Sequence, residues 1–204
     1  MQYRTVLIMT ALAALTAAPA WTADTYAADG AHSYVGFSVS HMVISKVKGH
    51  FGEFTGTLLF DAKDPTKSSI QGTITVQSID TGNDQRDTHL RSADFFDTEK
   101  FPEITFASKK VEKRGEGYAV LGVLTIKGVS KAVEIPFKVL GPAKDPWGNE
   151  RVGVDLAPFA INRQDFGVTW NKTLETGGLL VGNEVTIELA GEFVKEAPKE
   201  APKK

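Results

Sequence analysis

Apolar and polar residues alternate with a period of two through most of the chain between Tyr26 and Val194. The clearest runs are residues 35–41 (VGFSVSH), 54–60 (FTGTLLF), 70–76 (IQGTITV), 104–106 (ITF), 118–126 (YAVLGVLTI), 133–139 (VEIPFKV), 152–156 (VGVDL) and 185–189 (VTIEL). Such alternation, rich in β-branched and aromatic residues, is typical of half-buried strands. Turn residues at 63–65 and 145–149 separate the runs. The pattern predicts about eight antiparallel strands with short connections, in a barrel or a sandwich.

Two segments depart from the alternation. Residues 42–48 are interpreted as a short helix or a wide turn. Residues 83–96 are predicted to be helical, because Thr81 stands three residues before Asp84 in a pattern that resembles a capping box. Phe95 and Phe96 at the end of this segment are expected to pack across one end of the barrel.

A barrel of about eight strands is either filled by its own side chains or holds one slender ligand. Glycines at candidate inward positions, such as Gly56 and Gly72, stand beside phenylalanine and valine residues. This mixture suits a lumen with free volume and also suits an interdigitated core. The hydrophobic pattern therefore leaves both interiors open.

The N-terminus predicts export. One cation, Arg4, precedes an apolar run over residues 6–18, and the small residues Ala18-Pro19-Ala20 follow it. The apolar run is shorter than the ~20 residues that a spanning helix needs. We expect a signal peptide within residues 1–23, cleaved after Ala20 or Ala23, and a soluble periplasmic domain over residues 24–194.

Composition removes several kinds of chemistry. The chain has no cysteine, which excludes disulfides, thiolate metal sites and an acylated lipobox cysteine. Its net charge of −2 at pH 7 is near neutral, so no nucleic-acid partner is expected. Residues 195–204 repeat Lys-Glu-Ala-Pro and end in two lysines. This composition predicts a solvated, disordered tail, with a weak electrostatic tether as the alternative.

The four histidines do not predict a metal site. His32, His41, His50 and His89 lack metal-ligand spacing, although His41 and His50 flank a turn that can bring them together. Arg163 and Asp165 are interpreted as a salt bridge at the barrel rim. Two loop tryptophans, Trp147 and Trp170, either line the mouth of a pore or cover a barrel end.

Charged residues crowd the predicted helix. Asp87, His89, Arg91 and Asp94 lie within eight positions, and Ser92 stands beside them. A hydrolase needs a nucleophile next to the histidine, and no G-x-S-x-G elbow is present. We interpret the cluster as an ion-pair and capping network that fastens the helix to the barrel.

The central motifs resemble those of the YceI-like family of periplasmic polyisoprenoid-binding proteins. They are SIDT (78–81), RDTHLRSADFF (86–96) and FPEITF (101–106). Flanking segments match in the same order: residues 32–42, 49–61, 121–137, 145–153 and 161–168. The resemblance covers the mature chain except the tail, while residues 170–180 (WNKTLETGGLL) match no family pattern.

The resemblance implies an all-β, lipocalin-like extended antiparallel β-barrel with one short α-helix at the barrel end. Its pore is expected to hold a long-chain isoprenoid, such as an isoprenoid quinone, or a fatty-acyl amphiphile. No catalytic machinery, metal or other cofactor is implied. By strand parity, the candidate ligand-binding residues are Phe37, Val39, His41, Phe51, Phe54, Leu58, Ile74, Val76, Ile104 and Phe106. His41 is the preferred polar contact for a ligand head.

Three functions stay open at this point. The first is a lipid-binding carrier or sensor, and the second is a periplasmic enzyme that acts on a lipid or small envelope substrate. The third is a protein-interaction module, such as a homodimer, that uses barrel edges or the tail. A carrier could serve transport, respiration, the stress response or the sequestration of amphiphiles.

Overall fold

The computed structural model describes residues 23–175 and 177–197. Residues 1–22, which contain nearly all of the predicted signal peptide, and residues 198–204 of the predicted tail lie outside the described residues. The strands are β1 (Asp24–Ala28), β2 (Tyr34–His41), β3 (Ser45–Phe51), β4 (Phe54–Phe60), β5 (Ser69–Thr75), β6 (Ile79–Asp80), β7 (Glu103–Arg114), β8 (Gly117–Ile126), β9 (Val129–Lys144), β10 (Glu150–Leu156), β11 (Phe159–Asn162) and β12 (Val181–Lys195). The helix α1 spans Asp84–Arg91.

These strands form one antiparallel barrel, in which several consecutive strands are the two parts of one interrupted barrel strand. β1 and β2 together form one interrupted barrel strand, since β1 pairs with β4 and β12 while β2 pairs with β3 and β12. The same holds for β3 with β4, β5 with β6, and β10 with β11. Together with β7, β8, β9 and β12, this makes eight barrel strands, closed by the pairing of β12 with β1 and β2. The predicted all-β barrel with one short helix is confirmed.

The interpretation of residues 42–48 as a helix or wide turn is wrong. Met42 and Val43 make a tight turn with positive φ angles of 52° and 64°, and β3 begins at Ser45. Within β3, Lys46 and Lys48 are exposed while Gly49 and Phe51 are buried. The strand was missed because Val47 and Phe51 are the only large apolar residues on its inner face.

The helix is shorter than predicted, and its N-cap is Asn83, two residues after the proposed cap Thr81. Asn83 caps α1, because its Oδ1 accepts a hydrogen bond from the backbone N–H of Arg86 at 2.9 Å. The Thr81 hydroxyl instead donates to Asp87 at 2.5 Å. Phe95 lies beyond the helix and is buried in the core, and Phe96 packs edge-on against Phe51. These aromatic residues therefore pack across the barrel end as expected.

Buried side chains are concentrated toward the two ends of the barrel. One cluster, the closing cluster, lies beneath α1 and comprises Val35, Phe51, Val76, Ile79, Phe95, Ile104, Ile126, Phe166 and Val168. A second cluster lies toward the opposite end and comprises Tyr26, Leu58, Phe60, Val152, Val154 and Phe193. In the described part of the chain, no helix is long and apolar enough to cross a membrane.

The closing cluster gives a direct test of the fold. Ile79 is 0% exposed, so Ile79→Ala should lower the free energy of unfolding by about 2–5 kcal/mol through lost burial and a new cavity. Ile44 carries the same side chain at 82% exposure in the β2–β3 turn, and Ile44→Ala should change stability by no more than about 0.5 kcal/mol. Urea denaturation measures both, and equal costs would contradict the closing cluster.

Candidate functional site

The barrel encloses an apolar cavity of about 210 Å³. Side chains from all eight barrel strands line it, and nearly all of those that point inward are aliphatic or aromatic. Phe54, Leu58 and Phe60 of β4 show the pattern, since alternate residues of one strand face the lumen. Such a wall offers dispersion contacts and apolar burial, with little hydrogen bonding.

Glycine residues, which have no side chain, leave part of the lumen empty. Gly56 and Gly72 are directly opposite each other on β4 and β5, and Ala28 lies beside Gly56. A Cβ atom built on Gly72 would meet only the carbonyl oxygen of Thr55, at 3.3 Å. Gly122 differs, because the ring of Phe106 already covers it at 2.5 Å from such a Cβ. The lumen therefore has free volume beside Gly72, whereas a Cβ atom on Gly56 would lie 3.3 Å from the Ala28 Cβ atom and 3.4 Å from the Phe193 ring.

Seven of the ten predicted ligand-binding residues line the cavity: Phe37, Phe51, Phe54, Leu58, Ile74, Ile104 and Phe106. The other three do not. Val39 and His41 lie farther along β2 toward its turn, and Val76 begins the 3₁₀ turn Val76–Ser78 after β5. Val76 is 1% exposed and belongs to the closing cluster. The prediction that Val76 lies in a strand is thus wrong. The cavity does not reach this end of the barrel.

The cavity also has lining residues that the sequence analysis left out. They lie on the later strands and include Val120, Ile126, Ile135, Phe137, Val154 and Leu189. The only feature of the sequence that pointed to these residues was the apolar–polar alternation over residues 118–126, 133–139, 152–156 and 185–189. It identified strands without telling which face of each strand pointed inward.

Arg163 helps to hold the closed end together. It is 6% exposed and donates hydrogen bonds to the carbonyl oxygens of Val168 at 2.6 Å, Trp170 at 2.9 Å and Gly182 at 2.9 Å. Burial lowers the pKa of its guanidinium. The predicted salt bridge with Asp165 is wrong, because carbonyl oxygens of the following loop and of β12 take its donors. Arg163 therefore ties this loop to β12.

The charged residues around α1 form the predicted fastening network. Arg91 donates to the carbonyl oxygens of Gln77 at 2.9 Å and Ile79 at 2.7 Å, which ties the helix to the barrel. His89 bonds Asp94 at 2.9 Å. The Ser92 hydroxyl donates to the carbonyl oxygen of His89 at 2.7 Å, so it does not face the imidazole as a nucleophile would.

The two loop tryptophans lie in different surroundings. Trp170 packs against His89 and Phe95 at centroid distances of 4.9 and 5.1 Å, so it covers the closed end. Trp147 is 82% exposed in the turn between β9 and β10. The described end of the chain also differs slightly from prediction, since β12 runs to Lys195, which pairs with Tyr26.

The histidine pair considered for a metal does not form. His41 pairs with Ser45, whereas His50 pairs with Gly36, five residues away along β2. At about 3.3 Å per residue, the two rows are roughly 17 Å apart. The expectation that His41 and His50 approach each other is therefore wrong.

Another group of possible ligands surrounds an arginine. Asp29, His32 and Glu192 approach one another, but Arg151 Nη1 lies 2.7 Å from Asp29 Oδ2 and 2.5 Å from Glu192 Oε1. Arg151 Nε also bonds Asp145 at 2.9 Å. The guanidinium of Arg151 thus already pairs with these carboxylates. Glu192 belongs to β12, Asp29 follows β1, and Asp145 precedes β10.

Comparison with known proteins identifies the group to which this barrel is similar. Residues 26–193 match the YceI-like domain. A UPF0312 protein of Serratia proteamaculans is 43% identical over 168 residues, which cover 81% of this chain and 87% of that protein.

Two solved structures have the same fold. BcnA of Burkholderia cenocepacia is 28% identical and superposes with a TM-score of 0.71, covering 81% of this chain and 98% of BcnA. A polyisoprenoid-binding domain from Saccharophagus degradans is 18% identical, with a TM-score of 0.62 over 84% of this chain and 98% of that domain. The second likeness shows the fold alone.

The ion pairs of Arg151 with Asp29, Asp145 and Glu192 predict that the stability of the fold depends on pH in the acid range. Hydrogen bonds from Asn149 and Arg151 lower the pKa of Asp145 to about 2, and hydrogen bonds from Arg151 and His32 hold the pKa of Asp29 well below its ordinary value. A carboxylate with a depressed folded-state pKa stabilises the fold above its unfolded pKa of about 3.9, and this stabilisation is lost as pH falls through the folded value. Arg151→Gln should therefore lower Tm at pH 7, and the difference should shrink between about pH 4 and pH 2.

Thermal melts followed by circular dichroism at several pH values measure this difference. Arg114→Gln is the matched control, because Arg114 pairs with Glu112 and Glu134 but is 52% exposed. Exposed pairs contribute little to stability, so the control should move Tm less. A loss for Arg151→Gln that is the same at pH 7 and pH 2 would contradict the proposed ion pairs.

Proposed function

The chain belongs to the YceI-like family, and we propose that it binds a long-chain isoprenoid, or a similar amphiphile, in the lumen of its barrel. The observation that carries this proposal is the enclosed apolar cavity, lined from every barrel strand. The similarity in fold to a polyisoprenoid-binding domain supports the ligand class. The same family supports a binding protein rather than an enzyme.

The shape of the lumen suits a slender tail. Phe54 and Phe60 both line it and stand six residues apart on β4. At about 3.3 Å per residue this is roughly 20 Å of strand. Strands in barrels are tilted by about 35–45°, which leaves roughly 15 Å along the barrel axis. An extended alkyl or isoprenyl chain fits such a passage better than a compact ligand does.

Apolar burial is sufficient to drive binding. Each buried methylene contributes about 0.8 kcal/mol, so one five-carbon unit contributes on the order of 4 kcal/mol before costs. Association and ordering cost roughly 4–15 kcal/mol. A tail of several units offsets this without any hydrogen bond. The apolar wall does not distinguish an isoprenoid from an acyl chain of similar length.

A long tail requires the wall to move. The cavity of about 210 Å³ is smaller than most ligand pockets, which measure roughly 300–1,000 Å³. Phe106 is half-buried, and its ring lies over Gly122. Rotation of such inward rings would widen the lumen while the backbone hydrogen bonds of the barrel stay in place.

We propose further that the protein is exported and carries its lipid through the periplasm. The signal peptide predicted in residues 1–23 supports this location. Cleavage after Ala23 would leave Asp24, the first residue of β1, as the N-terminus. An enclosed apolar lumen shields a tail from water, as a carrier between membranes requires.

Filling the lumen tests the binding site. Gly72→Leu adds a side chain where a Cβ meets only one backbone oxygen within 4 Å. If it excludes two or more methylenes of the tail, affinity should fall about tenfold or more. Solvent extraction of the purified protein followed by mass spectrometry identifies the lipid, and titration with that lipid measures the affinity.

Thr105→Leu is the matched control. Thr105 adjoins the inward residues Ile104 and Phe106 on β7, so its side chain points to the outer face, and it does not line the cavity. This control should bind the lipid as the wild type does. Repeated recovery of no apolar ligand, or equal affinity of both variants, would contradict the proposal.

A further inference from the structure

An open recess adjoins the lumen at the end of the barrel opposite α1. This mouth recess is formed by the turn after β4, the β7–β8 turn and the last part of β9. Phe60, Pro65 and Val139 line both the lumen and the mouth recess. Unlike the lumen, the mouth recess has charged side chains on its wall: Lys113, Glu116 and Lys138.

Lys113 occupies the inner face of the barrel at this rim. Val111, two residues earlier on β7, is 4% exposed in the interior, so Lys113 is the next residue on that face. It pairs with Tyr118 of β8, which stacks on the interior residue Phe137. The chain thus places an ammonium group where the apolar wall meets solvent.

The position of this ammonium group is held by two contacts. Lys113 Nζ lies 4.4 Å from the centre of the Tyr118 ring and donates to the carbonyl oxygen of Glu116 at 3.3 Å. Both contacts leave the positive charge without a counter-ion. In the part of the chain that the structure describes, Lys113 takes part in no ion pair.

Three other lysines near this end have acidic partners. Lys67 pairs with Asp64, Lys110 with Glu112, and Lys195 with Asp24. The charged side chains on the wall of the mouth recess are two lysines and one glutamate, which leaves it net positive.

We propose that the mouth recess binds the anionic head group, a phosphate or a carboxylate, of the amphiphile whose tail lies in the lumen. Lys113 contacts this head directly, with Tyr118 beneath it. The inference rests on the proposed lipid-binding function. It places the head at the opposite end of the barrel from His41, which the sequence analysis preferred.

Three probes of equal chain length test the head group: hexadecyl phosphate, hexadecanoate and hexadecanol. Each displaces a fluorescent fatty-acid analogue from the delipidated full chain, at concentrations below micelle formation. A charge-assisted hydrogen bond should make at least one anionic probe bind about tenfold more tightly than the alcohol. The comparison of phosphate with carboxylate identifies which head is preferred.

Lys113→Met should remove most of this preference while the affinity for hexadecanol stays the same. Lys110→Met is the matched control, since Lys110 lies three residues earlier on β7, on the outer face, and pairs with Glu112. It should keep the preference. If Lys113→Met does not fold, the wild-type preference must still weaken as salt rises, because ions screen an exposed charge.

The outcomes separate the two proposals. If hexadecanol binds wild type as tightly as both anions, the head-group site is overturned while lipid binding stands. A preference that survives in folded Lys113→Met, or that salt does not change, also overturns it. If none of the three probes binds, the proposed function itself fails.

Discussion

Closure of the sheet is the constraint on which the rest of the structure depends. β12 pairs with β10 and β11 along one edge and with β1 and β2 along the other, so these strands complete the barrel. Closure pairs the edge strands with each other and encloses the inward faces of all the strands. The lumen exists because this ring is closed while the missing side chain at Gly72 leaves part of it unfilled.

Polar networks on the rim and outer surface support this closure. Arg151 bonds Asp29, Asp145 and Glu192, which brings together β10, β12 and the break between β1 and β2. Nearby, the buried Tyr26 donates its hydroxyl to Glu150 at 2.5 Å. Burial and this hydrogen bond raise the pKa of Tyr26. The break between β1 and β2 is thus held by ion pairs in addition to the backbone hydrogen bond from the Asp29 N–H to the carbonyl oxygen of Glu192.

The two ends of the barrel differ in a way that gives the lumen a direction. At the α1 end, the closing cluster fills the interior, and Arg163 and Arg91 bind backbone carbonyl oxygens around it. At the other end, the apolar wall reaches a recess that carries Lys113 and Lys138. An amphiphile matches this polarity when its tail points toward α1 and its head lies at the rim.

By itself, the sequence determined the class of fold and the inward side of several strands in the first half of the chain. Alternation is a local property, so Phe37, Leu58 and Phe106 could be assigned to the lumen from their parity. It failed in β3, where the inner face carries only two large apolar residues, Val47 and Phe51. It failed again at Val76, where a 3₁₀ turn ends the strand. Only the tertiary structure decided how far the cavity extends, which end is closed and which polar groups meet. Arg163, for example, bonds carbonyl oxygens instead of Asp165, and His41 lies far from His50. These properties depend on contacts between residues that are distant in sequence, and a local hydrophobic pattern does not specify those contacts.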